Sequence, residues 1–237
     1  MIEKTRAIVL KQVKFSESSV VCKMYTRSFG LQSYLVNGVR SEKGKGKAGL
    51  LQPMNLLQLE AYHREGKNLQ RLKEFSPLVY YNHLPYDVFR SAVGLFLVEV
   101  FTQCMHDEES NDDLFDFIED QFMQLDKPET TLTFFSHRFL ISLSKHMGFY
   151  PSGNCSIATP FFNLQEGSFV SQLNHSMEGL SKEESELFDD LLFGKVSSSN
   201  PLIRKNLLHQ LVNYFQLHVS GFGKIKSLAV LEEVLHA

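Results

Sequence analysis

The chain has 237 residues, 43% of them apolar, with 24 Lys and Arg against 27 Asp and Glu and three cysteines. That apolar content supports one large or two modest cores and excludes disorder of the whole chain. Cys22, Cys104 and Cys155 are too few and too far apart for a disulfide framework; no apolar run nears the length of a bilayer span, and the opening MIEKTRAIVLKQV lacks a secretion signal, so a soluble cytoplasmic protein is expected.

The net charge of −3 conceals an asymmetry. Residues 1–75 hold 14 Lys and Arg against 6 acids, and residues 76–237 hold 10 against 21. An N-terminal part that meets a polyanion, beside an acidic remainder, fits that division.

From Thr5 to Pro77 five short strands are expected: TRAIVLKQV, SVVCKMYTR, LQSYLVNG, MNLLQLEAYHR and LQRLKEFSP. Five strands in so short a span suggest a small closed sheet, and Ser16–Ser18, Ser28–Gly30 and Glu65–Asn68 are its turns. In the second strand, alternation puts Val20, Cys22, Met24 and Thr26 on a core face and Val21, Lys23, Tyr25 and Arg27 on an open one. The third connection, residues 39–49, is long and contains GKGKAG, which spells the glycine spacing of a dinucleotide-binding turn. That turn needs a strand before it and a helix after it, whereas Pro53 interrupts any helix early and the following pattern alternates like a strand. A flexible cationic loop is the better reading, with Arg40, Lys43, Lys45 and Lys47 set against Glu42.

From Pro85 the period becomes helical. DVFRSAVGLFLVEVFTQCM is apolar nearly all round, as in a central helix of a bundle; DDLFDFIEDQFMQL is amphipathic with an acidic face; TLTFFSHRFLISLSKHMG ends at Gly148. Residues 149–180 are irregular, with PFFNL and SFVSQL as the arms of a hairpin. Ser181 and Glu184 form a capping box, Asn200–Pro201 starts another helix, and KSLAVLEEVL is the last. The expected class is α+β multidomain: a β-barrel over residues 1–80, then an α-helical domain over 81–237 with the 149–180 insertion.

No metal-ligand spacing, nucleophile elbow or phosphate loop occurs, HDEE at His106–Glu109 reads as a solvated helix end, and nothing makes a positive case for an enzyme. A basic barrel bearing aromatic rings suits single-stranded nucleic acid, with cations on phosphates and rings on bases. The candidate cations are Arg6, Lys11, Lys14, Lys23, Arg27, Arg40, Lys43, Lys45, Lys47, Arg71 and Lys73. The candidate rings are Tyr25, Phe29, Tyr34 and Tyr62. The other reading is a non-catalytic adaptor whose barrel binds an acidic protein.

The stretch TRAIVLKQVKFSESSVVCKMYTRSFGLQSYLVNGVRSEKGKGKAGLLQP resembles the N-terminal domain of the RecO family, bacterial recombination mediators and DNA-annealing proteins. The resemblance rests on Glu17–Ser18, Thr26, Gly30, Gly38 and Arg40, and Gly49 with Leu51, Gln52 and Pro53. LISLSKHMGFYP and the Lys226–Leu228 triplet of YFQLHVSGFGKIKSLAVLEEVL extend it along the chain. It implies an OB-fold followed by a helical domain and no catalysis. It further implies binding of single- and double-stranded DNA, strand annealing, and cooperation with RecR and single-stranded DNA-binding protein in loading RecA. Many members carry four zinc-binding cysteines in the insertion; here Cys155 stands alone with Ala158 at the second position, so no zinc and no other cofactor is expected. Asn37 replaces a lysine that often precedes the glycine. The acidic, Phe-ending tail of single-stranded DNA-binding protein docks on the family's helical domain, where Arg138 and Lys145 are the candidate cations.

Overall fold

The computed structural model describes residues 2–39, 45–64, 66–105, 110–174, 178–195 and 199–236. By compactness these form two units, Met1–Thr130 and Thr131–Ala237.

In the first unit, β1 (Ile2–Lys14), β2 (Val20–Thr26), β3 (Gly30–Val36), β4 (Leu56–Tyr62) and β5 (Gln70–Pro77) close in the order β1-β2-β3-β5-β4. The closing contact is a short parallel one, Tyr34 opposite Gln70 and Leu35 opposite Arg71; all other pairs are antiparallel. This is the five-stranded OB-type barrel that the strand pattern suggested. Alternate residues fill it: Ala7 and Val9 from β1, Cys22 and Met24 from β2, Tyr34 and Val36 from β3, Leu57 and Leu59 from β4 are all buried. Burial pushes the Cys22 thiol up to about 12, which makes it an inert core group.

The second half of the connection from β3 to β4, from residue 45 on, is more ordered than a flexible loop. Lys45–Ala48 makes a single helical turn, α1, and Gly49–Leu51 a 3₁₀ turn that drops Leu51 into the barrel core. The Asn55 amide clamps that turn by donating to the carbonyls of Gly49 and Leu50, at 2.9 and 3.0 Å. Apolar burial of Leu51 thus orders the second half of GKGKAG; Arg40, Lys43, Gly44 and the Lys45 side chain lie outside the described residues.

Two helices complete this unit. Capped by the Asp87 and Asn111 side chains, α2 (Val88–Cys104) and α3 (Asp112–Asp126) carry Phe96, Phe101, Phe115 and Phe122 into the core. Met54, just before β4, has a φ of 77°, rare for a residue with a side chain. Its N–H donates to Val9 and its carbonyl accepts from the Tyr81 hydroxyl. Its thioether lies against Gly94 of α2, where any Cβ would collide with it. HDEE at 106–109 lies outside the described residues.

The second unit consists of α4 (Phe135–His146), the hairpin β6 (Phe161–Asn163) and β7 (Ser168–Val170), α5 (Lys182–Leu192), α6 (Pro201–His218) and α7 (Ser227–His236). Gly148, with φ 84°, stops α4; the Ser181–Glu184 capping box starts α5 and Asn200–Pro201 starts α6, as their sequences suggested. The hairpin is held by rings: Phe162 meets Phe169, Phe188 and Tyr214 edge-on, with centroids 4.8 to 5.8 Å apart.

Candidate nucleic-acid interface

One row of residues runs across the outside of the barrel. Cross-strand register sets Val13 beside Val21, Val21 beside Leu35, Leu35 beside Arg71 and Arg71 beside Tyr62. Val13, Tyr62 and Arg71 are exposed; Val21 and Leu35 are partly so. On the same face lies a second pair, Lys11 directly opposite Lys23. Two like charges across a strand pair repel, and among the described residues no acid lies within ion-pair distance of Lys11, Lys14, Lys23 or Arg71.

The β4–β5 connection borders this row. The buried side chain of Gln70 accepts from the Arg64 N–H and donates to the Arg64 and Lys67 carbonyls, at 2.8 to 3.0 Å, so both cations stand on a tied loop. Tyr62, Arg64, Lys67, Leu69 and Arg71 line a groove of about 570 Å³. A second groove, of about 370 Å³, has Lys47, Arg71, Lys73 and Phe75 in its walls, so the two meet along β5. Lys47 rests its ammonium 5.9 Å from the Phe75 ring. The surface that results is cationic, partly apolar and open, as binding of a flexible polyanion requires.

Three of the expected site residues belong elsewhere. Tyr25 is 1% exposed: its ring lies edge-on to Phe101 at 5.1 Å and stacked with Phe115 at 6.1 Å, and no face remains for a base. The alternation of β2 is as expected, but at this end of the strand α2 and α3 cover the outer face. Arg27 pairs with Asp116 and Asp112, and Arg6 with Asp116 and Glu119, while both guanidiniums flank Phe115 at 5.9 and 5.3 Å. Acids of α3 already satisfy these two cations. Burial raises the Glu119 carboxyl above its usual range even with Arg6 beside it. Lys73 is a partial case, since Glu60 accepts from it and from Lys4; those two ammoniums hold the Glu60 carboxyl low. Among the other rings, Tyr34 is inside the barrel and Phe29 stacks on His63 at 3.9 Å, leaving Tyr62 as the open one of the four considered. Sequence reasoning missed Arg64 and Lys67, although their place in a Gly- and Asn-containing turn between strands was a usable signal.

Two family models match the chain. Residues 1–81 match the family described as "Recombination protein O N terminal", and residues 85–229 match "Recombination protein O C terminal". The chain is 35% identical over 238 residues to the DNA repair protein RecO of Flavobacterium psychrophilum, covering 98% of both chains. It is 34% identical to that of Flavobacterium johnsoniae, again covering 98% of both, and 33% identical to that of Bacteroides fragilis, covering 99% of both. The chain belongs to the RecO family. The N-terminal family model thus ends within the turn after β5 and contains the whole cationic row.

RecO membership raises the question of the zinc site, and the described residues do not fit one. Cys155 is half-buried, its thiol is pushed up by burial and by Asp189, and its N–H donates to Asp189 at 2.8 Å. Among the described residues no three His, Cys, Asp or Glu side chains could share a metal. Asn37 accepts from the Ser19 hydroxyl at 3.0 Å and ties the β1–β2 turn to the end of β3. In the second unit Arg138 and Lys145 are both exposed and lie seven residues apart on α4, hence on one side of it roughly 10 Å apart. No helix of the described residues is long and apolar enough to cross a membrane.

Proposed function

We propose that this chain is a non-catalytic recombination mediator that binds single- and double-stranded DNA through its barrel and anneals complementary strands. The observation that carries the reading is the open row on β1 to β5, where among the described residues Lys11, Lys23 and Arg71 lack acidic partners while Val13, Leu35 and Tyr62 offer apolar and aromatic surface. Cations on such a face replace the counterions of a phosphate backbone. Rings and aliphatic groups hold bases without hydrogen-bonding their pairing edges, so a bound strand keeps those edges free for its complement. Neutralised backbones also repel one another less, which favours the meeting of two strands.

Within this reading Arg138 and Lys145 receive the acidic tail of single-stranded DNA-binding protein, RecR is the partner in the same pathway, and RecA is loaded onto the strand that results, in the cytoplasm at the nucleoid. The support for these partners is membership of the RecO family together with the exposed pair of cations on α4. Annealing of complementary fluorescent oligonucleotides, bare or coated with single-stranded DNA-binding protein, tests it. The wild-type chain accelerates pairing in both cases; Lys11→Gln/Lys23→Gln/Arg71→Gln loses most of the acceleration, and Arg138→Glu/Lys145→Glu loses it on coated strands alone. No acceleration by the wild-type chain would rule the reading out.

A further inference from the structure

The turn between β1 and β2 carries a side chain that the barrel does not use. Phe15 is 62% exposed, although it sits in a polar turn, KFSESS, where nothing in the fold calls for a ring. Its backbone is fixed. The Phe15 and Ser16 N–H groups both donate to the Ser19 carbonyl, at 3.1 and 3.2 Å, and the Ser19 N–H donates to the Ser16 hydroxyl at 3.2 Å. The Ser19 hydroxyl in turn is tied to Asn37. A ring on a braced turn is presented to solvent at low entropic cost of ordering, which is what a contact residue needs.

Its surroundings specify the partner. Phe15 follows β1 directly, one residue past its end at Lys14, so the ring stands at the rim of the sheet whose outer face sets Lys11 opposite Lys23. The like-charged pair is unfavourable alone and becomes favourable when an anion lies between its members. Lys11 lies four residues before Phe15, roughly 13 Å along an extended chain, so the ring and the lysine pair meet different nucleotides of one strand. An acidic protein tail would need a notch to receive its apolar groups, whereas Phe15 projects; a planar base needs only a ring face.

We infer that Phe15 stacks on an unpaired base of single-stranded DNA while Lys11 and Lys23 hold phosphates further along the same strand. The inference rests on the DNA-binding reading given above and adds the residue that grips a base at the end of the surface.

The chain contains no tryptophan, so Phe15→Trp places a single indole at the turn. Titration with oligothymidylate quenches its emission. An abasic strand of equal length binds with the same salt dependence yet leaves the emission unchanged. Phe15→Ala weakens oligothymidylate binding roughly 5- to 150-fold, the range expected for one lost base stack, while Phe15→Trp retains affinity. If the wild-type chain binds oligothymidylate but Phe15→Ala binds it equally well, or the indole responds alike to both strands, base stacking by Phe15 is excluded and DNA binding stands. Quenching by an acidic, Phe-ending peptide and not by oligothymidylate also overturns it in favour of a protein ligand. If wild type binds neither strand, both inferences fall.

Discussion

At the scale of single residues, neighbours that alternation does not report decide whether a polar or aromatic side chain is free. The periodicity of β2 correctly separated Cys22 and Met24 from Lys23 and Tyr25, yet it treated Lys23 and Tyr25 as equals. One is open and the other is closed by Phe101 and Phe115, residues 76 and more positions away. Lys23 has a testable signature: Lys23→Thr removes the repulsion with Lys11, so the variant gains a few tenths of a kcal/mol in denaturant unfolding while single-stranded DNA binding weakens. A variant that loses stability instead would show that the pair is not repulsive. In the second unit His137 is buried on α4, its Nε2 bonded to the Arg204 carbonyl at 2.9 Å. Burial first, and then the Arg204 and Arg138 charges, lower its pKa from 6.5 to about 4. Because the folded value lies below the unfolded one, the stabilisation is complete above about pH 6.5 and is lost as pH falls toward 4. Thermal melts of His137→Leu between pH 6.5 and 5 should be flatter than those of the wild type.

At the scale of elements, the strands and the long helices were legible, because their period of two or 3.6 follows directly from which faces are buried. The turn α1 was not. Four residues carry no period, and their order comes from Leu51 entering the barrel and from the Asn55 clamp, both contacts of tertiary structure. Nor was the seat of Met54 on Gly94 visible. Gly94→Ala forces the Met54 thioether and Leu84 to move, and chemical denaturation should show a loss of about 1–3 kcal/mol, as for other overpacked sites. No change would mean that α2 does not depend on that contact. At the β6–β7 hairpin four rings from β6, β7, α5 and α6 meet, so packing holds it. Chelation by EDTA should leave the melting temperature unchanged, and elemental analysis should find no stoichiometric zinc. Phe162→Ala, by contrast, should cost about 3–5 kcal/mol.

At the scale of the whole molecule, the charge asymmetry pointed correctly to the half of the chain that carries an open cationic surface, but a count of charges could not say which cations are available. Acids of α3 satisfy Arg6 and Arg27, Glu60 shares Lys4 and Lys73, and what remains open among the described cations of the barrel is concentrated on one of its faces. That concentration is the central claim, and the salt dependence of oligothymidylate binding tests it most directly. The logarithm of affinity should fall linearly with the logarithm of salt concentration for the wild-type chain. For Lys11→Gln/Lys23→Gln/Arg71→Gln the slope should be shallower by roughly two units, about 0.7 for each single-strand phosphate contact removed. Arg6→Gln/Arg27→Gln should lower the melting temperature and leave the slope unchanged. A slope that responds to Arg6 and Arg27 but not to Lys11, Lys23 and Arg71 would contradict the account.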